Sequence, residues 1–147
     1  MAYYGCEKGD TVLGRGALDT PNALYRALLG AWCAETCAPR LRSAWTAENP
    51  TWGQCSVTAF LAQDLFGGKV YGVPRPDGSV HCFNAVGDCV FDLTSEQFGD
   101  RMLDYSNCPE QDRSVHFAKE EKRQRYEFLK GKMLAALDDK NDIDVEK

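Results

Sequence analysis

Histidine is scarce: only His81 and His116 occur in 147 residues, so any chemistry that needs an imidazole rests on one of those two. A surplus of positive charge is missing as well, since 17 Lys and Arg stand against 22 Asp and Glu, a formal charge of −5. Binding along a phosphate backbone needs excess cations on one face, so this balance argues against a nucleic-acid partner. No apolar run approaches the roughly 18 residues that a membrane span needs. The first residues lack the apolar stretch of a secretory signal. A cytoplasmic protein that meets no membrane is therefore expected. Internal repeats and low-complexity stretches are absent too, and the length suits one globular domain that buries its own core.

Cysteine, by contrast, is plentiful. Seven occur, an odd count. Without an export signal, reduced thiols are the expectation, most of them acting as small buried hydrophobes. Cys33 and Cys37 lie four apart, not in the paired close spacing of a zinc ribbon, so neither a metal nor any other cofactor is implied.

The chain divides into a Gly-rich, weakly patterned arm over residues 1–18, a single domain over 19–137 and a charged tail over 138–147. Asp19-Thr20-Pro21 has the form of a helix start. Leu24, Tyr25, Leu28, Leu29 and Trp32 recur at helical spacing and predict a helix over about 21–35. A loop with Trp45 and Trp52 follows, and a second helix starts near Cys55. Its apolar stripe of Val57, Phe60, Leu61 and Leu65, widened by Ala59, Ala62 and Phe66, marks a central buried helix. Gly67-Gly68 stops it. Three short strands are predicted over 69–73, 79–86 and 89–93, the last two joined by a two-residue turn at Gly87-Asp88. Thr94 and Gln97 have capping-box spacing for a short helical turn, and residues 99–111 read as loop. A charged amphipathic helix is expected over 117–137, with Tyr126, Leu129, Met133 and Leu137 on one face. Hairpin-linked strands between helices make the fold class α+β: a small antiparallel sheet packed against the helix that starts at Cys55.

That helix start could carry chemistry. Unpaired N–H groups and the positive end of the helix dipole favour a thiolate at Cys55, and the same N–H groups suit an oxyanion. A cysteine in this place also serves as plain packing, so a base is needed to tell the two apart. His116, at the edge of the charged helix, reads as a solvated or capping residue. His81 lies on a strand. With Gly87-Asp88 as the turn, Val86 faces Cys89, Phe83 faces Asp92 and His81 faces Thr94. His81 and Asp92 then become diagonal neighbours on one face of the sheet. Asp92 can hold one ring nitrogen of His81 and aim the other at Cys55, the orienting role of the third group in a triad. By the same parity Asn84 points to the other face. It remains a binding candidate, as does Trp52, beside the Cys55 loop.

The stretch Trp45-Thr46-Ala47-Glu48-Asn49-Pro50-Thr51-Trp52-Gly53-Gln54-Cys55-Ser56-Val57-Thr58-Ala59, together with Gln63 to Gly68, Val80 to Asn84 and Phe91 to Phe98, resembles the YunG-like family of small bacterial proteins. Cys82 stands where that family has an aromatic residue. The resemblance brings no activity with it. More distantly, the order Cys, His, Asp on helix, strand and strand is similar to papain-like and transglutaminase-like cysteine enzymes. That likeness implies a Cys55 nucleophile, His81 as proton carrier, Asp92 as its orienter, and an oxyanion site at the Cys55 N–H and the Gln54 side chain.

Three functions fit these residues. The first is a cysteine-dependent hydrolase, deamidase or transferase acting on a small-molecule or protein amide, or on a thioester. The second is a non-catalytic, ligand- or protein-binding member of the same fold, and the third is a metal or redox sensor. A reactive, His81-paired thiol at Cys55 separates the first from the others.

Overall fold

The computed structural model describes residues 3–5, 20–99 and 101–146, apart from the side chains of 137–146. Helix α1 spans Pro21–Leu29, α2 Cys55–Phe66, α3 Arg113–Phe117 and α4 Glu120–Glu146; the strands are β1 Tyr4–Gly5, β2 Lys69–Pro74, β3 Val80–Val86 and β4 Cys89–Asp92. The sheet is antiparallel in the order β1-β4-β3-β2. This is an α+β architecture. No helix among the described residues is long and apolar enough to cross a membrane.

Thr20 starts α1 by accepting a hydrogen bond from the Ala23 N–H, with Pro21 in the first turn. The helix ends at Leu29, short of the predicted residue 35, because Gly30 turns its N–H back onto Ala27 and Leu28. Residues Ala34–Thr36 then form a separate 3-10 turn, in which Thr36 bonds both the N–H and the C=O of Cys33. The C-terminal helix starts three residues later than expected, and an unexpected short helix precedes it. Asp112 caps α3 through the Ser114 N–H, and α4 begins afresh at Glu120 and stays helical to Glu146, through the expected tail. Tyr4–Gly5 pairs with Phe91 and Asp92, so part of the expected loose arm is a strand. Residues 6–19 lie outside the described residues.

Helix α2 is buried from Ser56 to Ala62 and packs on β3. Asn84 Nδ2 donates to the Ala59 carbonyl at 2.8 Å and pins the two elements together. On the far side of α2, Tyr126, Leu129 and Met133 of α4 are buried in the same core as Leu24 and Leu28 of α1. The opposite sheet face carries a smaller cluster built on Val73, Phe83 and Leu103. Cys89 is disulfide-bonded, against the reduced state expected of the seven cysteines. Cys33, Cys37, Cys55, Cys82 and Cys108 are free thiols.

The approach to α2 depends on one glycine. Gly53 has φ +72°, and a Cβ there would collide with Cys37 Sγ. Gly53→Ala combines left-handed backbone strain with overpacking, so it should lower the unfolding free energy by about 1–3 kcal/mol. Urea denaturation measures this, and a loss below about 0.5 kcal/mol would mean that the loop relaxes freely.

Candidate active site

The two-residue turn at Gly87-Asp88 gives the register that the hairpin chemistry predicts: Val86 faces Cys89, Ala85 faces Val90 and Asn84 faces Phe91. Alternation then puts Phe91 and Asn84 toward α2 and Asp92, Phe83 and His81 on the other face. His81 and Asp92 meet there, Nε2 to Oδ2 at 2.6 Å, both almost wholly buried.

Asp92 is satisfied on several sides. It accepts from His81 Nε2, from the Tyr105 hydroxyl at 2.7 Å, from the Thr94 N–H at 3.2 Å and from the Thr94 hydroxyl at 3.3 Å. Thr94 is therefore not the side-chain cap expected of it. Its hydroxyl serves Asp92, and the turn Ser95–Phe98 begins without a side-chain cap. Phe98 places its ring edge-on to His81 at 4.7 Å. These contacts fix the imidazole plane.

Cys55 is the first residue of α2, and no side chain caps that helix. Its sulfur reaches the beginning of β3, 3.9 Å from the Val80 carbonyl. Strand β4 pairs with β3 only from Asn84 onward, so the upstream backbone of β3 is free of that ladder. Cys82 and His81 are the neighbours that act on the Cys55 sulfur. With Nε2 held by Asp92, the ring nitrogen left for Cys55 is Nδ1.

The electrostatics follow from these contacts. The Cys82 thiol hydrogen bond holds the Cys55 thiol well below the ordinary cysteine range; burial opposes it, and the hydrogen bond and charge of His81 reinforce it. Burial would depress His81, but the hydrogen bonds and charges of Asp92 and Cys55 together outweigh it and push the imidazole up to about 10. Cys82 moves the other way, held well above its usual range by its hydrogen bond to Cys55 and by burial. These contacts favour the charged forms of Cys55 and His81 and the neutral form of Cys82.

The thiol and the imidazole open onto a cleft of about 870 Å³ that Trp52, Ser56, Arg75 and Phe98 also line. Trp52 lies in its wall, its indole N–H tied to the Leu41 carbonyl at 3.0 Å. Two predicted candidates do not reach the cleft. Gln54 is fully buried, and its Nε2 donates to the Cys33 carbonyl at 3.0 Å; turning the amide over would set two oxygens against each other, so this donor is unavailable to an oxyanion. Asn84 is spent on α2, as parity required. The first backbone N–H groups of α2 have no side-chain cap.

Sequence reasoning missed four groups here. Tyr105 sits in a stretch without periodicity, and Thr94 gave only a capping signal. Cys82 reads from the sequence only as a small buried hydrophobe; by alternation it shares the α2 side of β3 with Asn84, which brings it to Cys55. His116 is half-buried and lines the cleft, rather than solvated as expected. Its ring rests on Phe60 at 5.1 Å.

Residues 20–138 of this chain match the family described as YunG protein. The chain belongs to that family. It is 45% identical over 67 residues to the uncharacterized protein YunG of Bacillus subtilis (strain 168), a match covering 46% of this chain and 56% of the relative. The chain thus spans just over half the length of that YunG relative. No solved structure matches the chain significantly.

Proposed function

We propose that the chain is a cysteine-dependent enzyme that cleaves or transfers an acyl group from an amide or thioester, with Cys55, His81 and Asp92 as its triad. The observation that carries this reading is the meeting on one cleft of a helix-start Cys55 and a neighbouring His81 that a saturated Asp92 holds at 2.6 Å. Buried packing cysteines have no need of an imidazolium, and structural His–Asp pairs have no need of a thiol at a helix N-terminus. The reading is supported by a likeness to papain-like and transglutaminase-like enzymes, in which a helix-start cysteine packs against a sheet bearing the histidine.

In this mechanism the Cys55 thiolate attacks the carbonyl carbon, and the carbonyl electron pair moves to oxygen. The resulting oxyanion accepts from the Cys55 N–H at the positive end of α2. The His81 imidazolium gives its Nδ1 proton to the departing amine or thiolate, and the carbon–nitrogen or carbon–sulfur bond breaks. His81, now neutral, then takes a proton from water or a second nucleophile as it attacks the Cys55 acyl group, which frees the thiolate. Asp92 holds the ring in place through Nε2 throughout.

Iodoacetamide labelling mapped to individual cysteines tests this reading. Cys55 should label below pH 7, while the Cys108 thiol, raised by burial and by the Asp104 charge, should not. His81→Ala should slow Cys55 labelling at pH 6 by about tenfold or more, the effect of moving a thiol pKa by about one unit. Labelling of Cys55 no faster than that of Cys108 would remove the enzymatic reading.

A further inference from the structure

The cleft over Cys55 carries charge opposite to that of the whole chain. Five of its lining residues are cationic and two acidic, in a protein with a net charge of −5. Both acids are already engaged by arginines: Asp77 pairs with Arg40 at 3.6 Å, and Glu121 pairs with the buried Arg125. Arg75, Lys119 and Lys122 remain, and among the described residues none of them meets a carboxylate at ion-pair distance.

Lys122 is the best placed of the three. It is half-buried in the first turn of α4, and its ammonium donates to His116 Nδ1 at 2.9 Å. His116 in turn donates from Nε2 to Gln111 Oε1 at 2.9 Å, so the ring is neutral and its tautomer is fixed. Burial favours that neutral ring, since it lowers the tendency of His116 to protonate. This relay stops Lys122 from swinging out into solvent. Burial weakens the ammonium, and negative charge at Cys55 supports it; both residues line the same cleft. On the other wall, Arg75 stacks its guanidinium over Phe98 at 4.8 Å, and Phe98 in turn touches His81. Two cations without a carboxylate partner among the described residues thus line the cleft that holds Cys55, one from the loop after β2 and one from α4. An anionic group entering the cleft would therefore meet both.

Building on the triad proposed above, we infer that the substrate is an acyl compound bearing an anionic group, a carboxylate or phosphate, close to its scissile carbonyl, and that Lys122 and Arg75 hold that group. Neutral amides would leave both cations unpaired, whereas an anionic acyl group satisfies them as it enters. The choice of substrate then rests on charge as well as on fit.

Two alkylating agents of nearly equal size test this, because iodoacetate carries the carboxylate that iodoacetamide lacks. Their rates at Cys55 are compared as a ratio, with the neutral thiol 2-mercaptoethanol as reference, in wild type, Lys122→Gln and Arg75→Gln. The ratio cancels any change in the Cys55 thiolate fraction, since both reagents consume the same thiolate. For wild type, the ratio of iodoacetate to iodoacetamide should exceed that of the reference at least about tenfold and fall as salt is added. Each substitution should lower it about threefold or more, while His81, still present, keeps part of the preference. An unchanged ratio in both variants overturns the anionic-substrate inference and leaves the nucleophile standing. Failure of both reagents to label Cys55 below pH 7 overturns the triad itself, and the inference with it. Distinct substrates then separate the two anions: matched amides bearing a terminal carboxylate or a phosphate should differ in turnover, and a neutral amide turned over faster than either would also count against it.

Discussion

Asp92→Ala is expected to lower the unfolding free energy by about 3–5 kcal/mol at pH 7, the cost of leaving a buried charge without its partner. Asp92 accepts from His81, Tyr105 and twice from Thr94. Its removal orphans the buried His81 Nε2–H and the Tyr105 hydroxyl together. His81 would shed its proton to avoid an unpaired charge, and the Cys55 thiolate would lose its counter-ion. Asp92→Asn keeps the shape and some of the acceptors, so its cost should be smaller. Should Asp92→Ala not fold, the same point is read from Asp92→Asn and from the pair Asp92→Asn with His81→Leu. The double change should cost at least about 1 kcal/mol less than the sum of the two single ones, because each removes the other's partner. Urea denaturation measures all of these. A cost for Asp92→Asn within about 0.5 kcal/mol of zero, with additive double-variant energies, would show that the carboxylate is not coupled to His81.

The second large effect is a change in how stability follows pH. The fold keeps a proton on His81 up to about 10, whereas an unfolded imidazole releases it near 6.5. That contribution is complete below about pH 6.5 and is lost as pH rises toward 10. Cys55 acts in the opposite sense. Its folded thiol ionises well below the ordinary range, while the unfolded one stays protonated to about 8.5. Its contribution is complete above about pH 8.5 and is lost as pH falls through the folded value. Between about pH 6.5 and 8.5 the two opposing slopes cancel, and these residues leave wild-type stability nearly flat. Cys55→Ala removes one side of this balance. Wild-type stability minus that of Cys55→Ala should therefore rise with pH across the interval, by at most about 1.4 kcal/mol per unit, the limit for one proton. Subtraction removes groups that Cys55 does not perturb, such as Asp77 and Asp104. A flat difference would mean that Cys55 is an ordinary thiol in the fold.

Where local rules suffice, the sequence already contains the site. The Gly67-Gly68 stop and the apolar width of residues 55–66 place α2, and the two-residue turn fixes which residues of β3 and β4 share a face. His81 and Asp92 follow from counting along two strands. The departures come from contacts that no local pattern encodes. Tyr105 reaches Asp92 from a stretch with no periodicity, and the strand at Tyr4–Gly5 forms because β4 offers an unpaired edge. Gln54 turns inward, where its amide adds a donor to the Cys33 carbonyl, 21 residues away. Helix α1 stops early although its apolar spacing runs on through Trp32, since that indole instead donates to the Thr58 hydroxyl on α2 at 2.9 Å.

The short turn at Gly87-Asp88 has a consequence for how such chains can diverge. Lengthening it by one residue, with Val86 still paired, would exchange the faces of every later position on β4. Asp92 would then be driven among Phe66, Phe60 and the other side chains beneath α2, and Phe91 would be pushed out beside Tyr105. Loops elsewhere can gain or lose residues and leave the triad where it stands, but this hairpin cannot. Its length is therefore expected to be the most tightly held spacing among relatives that keep the same chemistry, and a change there would mark a member that has given the chemistry up.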